Sequence, residues 1–164
     1  MQPYRRASLP LEALAAEYGT PLYVYSMDCV QERLQTLTRA FGSVPLLVAY
    51  SVKANGSLAL LSRLASLGSG ADIVSGGELH RVLRAGIPPG RILFAGVAKS
   101  DAEIRAGLRA GIYSFNVESV DELHRLDALA AGLGARAPFA VRINPDIHAP
   151  TPHEYTRTGH ATTK

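Results

Sequence analysis

The sequence predicts an α/β fold on a parallel sheet, wound as the front part of a (β/α)8 barrel, and three observations lead there. From residue 46 onward, short runs rich in Val, Ile, Phe and Tyr alternate with segments of helical apolar spacing. The runs begin roughly every 20 to 27 residues, room for one helix and two loops, which demands right-handed crossovers between parallel strands. The loop after the first run, "YSVKANG", has no G-x-G-x-x-G turn of the kind a doubly wound dinucleotide-binding sheet would place there. Both a doubly wound sheet and a barrel suit repeated βα units; the short, even period favours the barrel.

Taken in order, "SLPLEALAAEYG" (8–19) reads as a helix capped by Ser8, "PLYVYS" (21–26) as a short strand, and "MDCVQERLQTLTRAFG" (27–42) as a second helix. The sheet then takes "LLVAYSV" (46–52), "ADIVS" (71–75), "RILFAG" (91–96), "IYSFNV" (112–117) and "FAVRIN" (139–144). The helices between them close on Gly68, Gly86, Gly111 and Gly134, the residue type that most readily ends a helix with a left-handed turn. Ser100 and Ser119 precede acids in the first turn and read as N-caps. A closed barrel needs eight units and about 250 residues, whereas five strands stand here. The sequence therefore reads as a partial barrel, the first five strands of something longer.

Composition narrows the function. The chain has 164 residues, 47% of them hydrophobic, and a net charge of +3. Its arginines are scattered and form no compact basic run, so nucleic acid is not an expected partner. No segment reaches the ~18 apolar residues of a membrane span, and no apolar core of a signal peptide follows the N-terminal arginines, so a cytoplasmic protein is expected. The one cysteine, Cys29, suits a small core side chain.

In a βα barrel the chemistry gathers at the carboxyl ends of the strands. Those positions hold Lys53, Asp72 to Ser75, Gly96, Asn116, Glu118, Arg142 and Asn144. A desolvated lysine supplies the neutral amine that Schiff-base chemistry requires, and an inward arginine suits a phosphate or carboxylate. The alternative is that Lys53 merely snorkels from the rim. Lys99, after the third strand, is a second strand-end lysine. His80 and His124 fall on helices. His148, His153 and His160 share one loop at spacings that match no closed zinc pattern, so no metal is expected.

"YSVKAN" resembles the Y-[AS]-[VL]-K-A-N signature of the alanine-racemase-like, fold-type III pyridoxal-phosphate enzymes. "LGSGADIVSGGELHRVLRAGIPPGRILFAGVAKSDAEIRAGLRAGIYSFNVES", "YGTPLYVYS" and "VRINPDI" resemble, within them, the diaminopimelate decarboxylase family. The resemblance implies a TIM barrel, pyridoxal 5′-phosphate as cofactor, and decarboxylation of meso-2,6-diaminopimelate to L-lysine. It implies that Lys53 is the catalytic, Schiff-base lysine and that Lys53, Asp72 and Arg142 bind the cofactor. Glu78 has a family counterpart too, although a first-turn helix acid accounts for it. The resemblance further implies an amino-acid substrate and a homodimeric full-length form. Residues 1–25 would contribute to a β-domain completed by a C-terminal part absent here, and 26–164 would form the incomplete cofactor-binding barrel. The family's ring-stacking histidine, phosphate loop and pyridine-nitrogen acid all follow the matched region, which implies a piece inactive alone. Two alternatives stay open: a related decarboxylase acting on ornithine, arginine or carboxynorspermidine, and a non-catalytic half-barrel remnant.

Overall fold

The computed structural model describes residues 11–145. The Ser8 cap, the three loop histidines 148, 153 and 160, and Lys164 lie outside the described residues. The chain divides into two compact units, Met1–Leu46 and Leu47–Lys164.

The first unit holds helices α1 (Leu11–Tyr18) and α2 (Met27–Ala40). Gly19 closes α1 at φ 82°, its N–H donating to the Ala15 carbonyl at 2.9 Å. Ser26 caps α2, its hydroxyl accepting from the Cys29 N–H at 3.3 Å. Cys29 is half-buried in this unit. The expected strand at 21–26 does not form: the segment lies between the helices without regular structure, and Leu22, Tyr23, Val24 and Tyr25 are exposed. Its β-branched and aromatic residues favour extension, but a strand exists only where a neighbour completes the ladder, and none does among the described residues.

The second unit is a five-stranded parallel sheet in the order β1-β2-β3-β4-β5: Ala49–Ser51, Gly70–Ile73, Ile92–Phe94, Ser114–Val117 and Phe139–Val141. Helices α3 (Leu58–Ser66), α4 (Gly76–Arg84), α5 (Asp101–Ala110) and α6 (Val120–Ala131) fill the crossovers. Sequential order decides the architecture. A doubly wound sheet reverses direction at a switch point, whereas strands that each add to the same side are those of a barrel wall. The strands are shorter than the apolar runs that announced them, because the run ends turn into loops.

Side chains alternate across the sheet. Ala71, Ile73, Ile92, Phe94, Phe115 and Val117 are buried in the core with Leu61, Leu79, Val82, Ile104 and Leu126 from the helices. Phe94 and Phe115 are register partners whose rings stack at 6.0 Å. Gly107 lets α5 sit close to them, since a Cβ there would meet Phe115 Cζ at 2.8 Å. The opposite face carries Ser51, Asp72, Leu93, Asn116 and Ala140 and is only partly covered. Uniformly buried strands were expected from the apolar runs; instead one face is apolar and the other mixed. Phe139, Val141 and Ile143 are exposed because β5 is an edge strand among the described residues.

Four closing glycines, at 68, 86, 111 and 134, all have positive φ, as the sequence led one to expect. The helix starts share a pattern, S-x-x-E, at 75–78, 100–103 and 119–122. In each the serine hydroxyl accepts from the glutamate N–H. Glu103 completes a capping box on the Ser100 N–H at 2.9 Å. Its second oxygen reaches the preceding helix and accepts from the Gly76 N–H at 2.7 Å. The Gly76 N–H above all, then the backbone N–H and hydroxyl of Ser100, hold the Glu103 carboxyl below its ordinary range against a small opposing effect of burial.

The folded chain therefore binds that proton less readily than the unfolded chain. Glu103's contribution is complete above the ordinary glutamate value of 4.5 and fades as pH falls through the lowered folded value. Thermal unfolding across an acid pH series should show Glu103→Gln with a lower melting midpoint near neutrality and a shallower loss on acidification. Parallel wild-type and variant curves would refute this role.

Candidate active site

The five strands end on one rim, and the βα loops there carry the polar residues that the sequence singled out. Directly after β1 the chain makes a 3-10 turn, Val52–Ala54, with Lys53 in its middle. The turn is anchored on both sides. Val52 is fully buried in the core. The Tyr50 hydroxyl donates to the Asn55 carbonyl at 3.3 Å, Asn55 Oδ1 accepts from the Ser57 N–H at 2.9 Å, and Arg81 Nη1 donates to the Gly56 carbonyl at 3.2 Å. The backbone of Lys53 is thus fixed while its side chain is exposed, with no hydrogen bond or ion pair to another described residue. Of the two readings left open for Lys53, a desolvated amine and a side chain at the rim, the exposed side chain here matches the second.

A cleft of about 370 Å³ lies over the next four strands, lined by Asp72, Ala95, Asn116, Glu118 and Ala140–Arg142. It brings together Asp72 and Arg142 but does not include Lys53, which stands beyond the β1 side. Asp72, half-buried in mid-β2, accepts from the Ser51 hydroxyl at 3.2 Å, so β1 and the cleft are linked through that pair. Arg142 follows β5, its N–H donating to the Val117 carbonyl at 2.9 Å. The register that pairs Val117 with Val141 places Glu118 beside Arg142. Arg142 Nη1 donates to Glu118 Oε2 at 3.3 Å.

Lys99 behaves unlike Lys53. Its side chain is 1% exposed, and its Nζ donates to the Gly96 carbonyl at 2.7 Å, the Asn116 carbonyl at 2.8 Å and Glu122 Oε1 at 2.6 Å. An ammonium has three N–H donors, so Lys99 is saturated. It bolts the β3 loop to the end of β4 and to α6. Glu78 accepts from the Val74 N–H at 2.7 Å at the start of α4, the helix-start acid that the sequence suggested. His80 and His124 are exposed on α4 and α6. No cluster of three potential metal ligands occurs among the described residues, and no described helix is long and apolar enough to cross a membrane.

Sequence reasoning placed Glu118 at a strand end and Glu122 among first-turn acids, and foresaw neither one's partner. Glu122 carried a faint signal as the third S-x-x-E acid; its link to Lys99 spans 23 residues and needs the fold. Glu118 stood at a strand end, but its pairing with Arg142 depends on strand register.

A family model for the pyridoxal-dependent decarboxylases, pyridoxal binding domain, matches residues 27–164. The diaminopimelate decarboxylase of Neisseria meningitidis serogroup B is 50% identical over 151 residues, covering 92% of this chain and 36% of that protein. The diaminopimelate decarboxylase of Vibrio cholerae gives the same identity and coverage. Among solved structures, diaminopimelate decarboxylase from Helicobacter pylori complexed with L-lysine superposes with a TM-score of 0.88 at 43% identity, covering 93% of this chain and 38% of that one. The chain thus spans a little over a third of the length of the relatives it matches.

The Lys99–Glu122 pair generates a direct test. Lys99→Met removes the donor from a nearly buried carboxylate and two carbonyls and should cost about 3 kcal/mol. Urea unfolding measures it, and adding Glu122→Leu should recover part of the loss. A single variant as stable as wild type would show the pair to be incidental.

Proposed function

Because the chain belongs to the pyridoxal-dependent decarboxylases, through their pyridoxal-binding domain, we propose that it serves the decarboxylation of meso-2,6-diaminopimelate to L-lysine, a step of lysine biosynthesis. The single observation that carries this reading is 50% identity to diaminopimelate decarboxylases over 92% of the chain. Lys53, within "YSVKAN" at the end of β1, is the residue around which the reading turns.

The residues on the rim suit pyridoxal phosphate. Lys53 offers an amine with no partner among the described residues, on a turn whose backbone is held in place. Arg142 and Asn116 supply donors at the cleft, and Glu118 Oε1 is a buried acceptor without a donor among the described residues. When bound, the cofactor supplies the electron sink that accepts the pair left behind as carbon dioxide departs. Lys53 would hold the cofactor covalently through its Nζ. Asp72 and Arg142 are cofactor-binding residues. Arg142 presents a fixed fork of donors to an oxygen of the ligand, and Asp72 holds the rim beside Lys53 through Ser51. The working protein is cytoplasmic, takes a small amino-acid substrate and acts as a homodimer.

Two measurements test this. Borohydride reduction with pyridoxal phosphate, followed by peptide mass mapping, should place the adduct on Lys53. Lys53→Ala and Lys53→Arg should abolish it, since a guanidinium does not become a neutral nucleophile. An adduct on Lys99, or one that survives in Lys53→Ala, overturns the site. Carbon dioxide release should be faster from diaminopimelate than from ornithine, arginine or carboxynorspermidine; the reverse preference overturns the substrate and leaves the cofactor in place.

A further inference from the structure

The least satisfied group in the cleft is Glu118. Its side chain is 9% exposed, Oε2 accepts one bond from Arg142 at 3.3 Å, and Oε1 is buried with no hydrogen-bond partner among the described residues. A carboxylate so enclosed normally has its lone pairs filled, because desolvation is offset only by good geometry. A stabilising ion pair is a poor account of it. Arg142 is 43% exposed, the contact is single and long, and enclosed pairs of this kind add little net stability.

The neighbouring bonds explain why Glu118 is nevertheless held there. Its N–H donates to Glu122 Oε2 at 2.9 Å, and Glu122 is fixed in turn by Lys99. Arg142 is tied to the adjoining strand only through its backbone N–H. What separates the two is enclosure: the side chain of the acid is 9% exposed and that of the arginine 43%. A guanidinium has five N–H donors in a planar fork, so one edge can face Glu118 while the others remain free for a ligand. A small approach toward bidentate contact would also give Oε1 its missing donor.

We propose that Glu118 is a positioning residue: it fixes the guanidinium of Arg142 at the cleft so that its remaining donors meet an oxygen of pyridoxal phosphate. This rests on the reading of Arg142 as a cofactor-binding residue. Without Glu118 the half-exposed arginine turns to solvent, and the cofactor must order it on binding.

The test is a double-mutant cycle on pyridoxal phosphate affinity, read by absorbance titration of the full chain, with melting midpoints recorded in parallel. Glu118→Gln keeps shape and removes charge, and should weaken binding by about tenfold. Arg142→Ala should weaken it at least as much. The double variant should bind no worse than Arg142→Ala, and Glu118→Asp, which keeps the charge on a shorter arm, should fall between wild type and Glu118→Gln. Affinity within twofold of wild type in Glu118→Gln, or a full additive loss in the double variant, overturns the proposal while Arg142 keeps its role. Unchanged affinity in Arg142→Ala overturns both. If Glu118→Gln melts far below wild type, the comparison rests on Glu118→Asp in the presence and absence of Arg142, where an effect that persists without Arg142 overturns the proposal.

Discussion

The rim of this sheet depends on glutamates that each bind in two directions. An acid three residues after a helix cap ordinarily turns back to the first N–H groups of its own helix. Glu103 does so and also takes the Gly76 N–H of the helix before it. Glu122 takes the Glu118 N–H and also the ammonium of Lys99, which lies before the preceding helix. The units that carry α5 and α6 are thereby each fastened to the one before, at the end where the loops lie. Parallel strands of three or four residues leave little ladder to define how those loops sit. Charge-assisted bonds of 2.7 and 2.6 Å between successive units supply that definition. They also account for the residues these units can carry: at Gly76 a Cβ would meet Glu103 Cγ at 3.0 Å.

Much of the fold was legible because its determinants are local. Apolar spacing, closing glycines and serine caps are read within a few residues, and all four helices between the strands follow from them. The parallel, sequentially ordered sheet follows from the period of the repeat. The failures share a cause. The segment at 21–26 has every local preference for a strand yet forms none among the described residues, since a ladder requires a partner that no local pattern supplies. β5 reads as a buried strand from Phe139, Val141 and Ile143, yet an edge position exposes all three.

The site divides along the same line. The turn at Lys53 is written locally: an apolar residue that anchors it, an Asn-Gly-Ser sequence that turns the chain, and a strand that ends just before. The cleft is not. Asp72, Asn116, Glu118 and Arg142 come from three strands, and what they do follows from register. A carboxylate and a guanidinium 24 residues apart become partners only once Val117 is placed opposite Val141.

Two lysines at strand ends show why position in the network, and not residue type, decides chemistry. Lys99 follows β3 and spends every donor on fixed acceptors, one of them a carboxylate at 2.6 Å. Those three bonds use all the N–H donors an ammonium has, so the nitrogen is held in place on every side. Lys53 follows β1 with its side chain exposed and no partner among the described residues. Only its backbone is fixed, by buried Val52 and by the bonds to Asn55 and Gly56. A group that must exchange a proton and then form and break a covalent bond needs that combination: a located stem and an uncommitted nitrogen. Of the two, only the lysine proposed as the cofactor's bearer has that combination among the described residues.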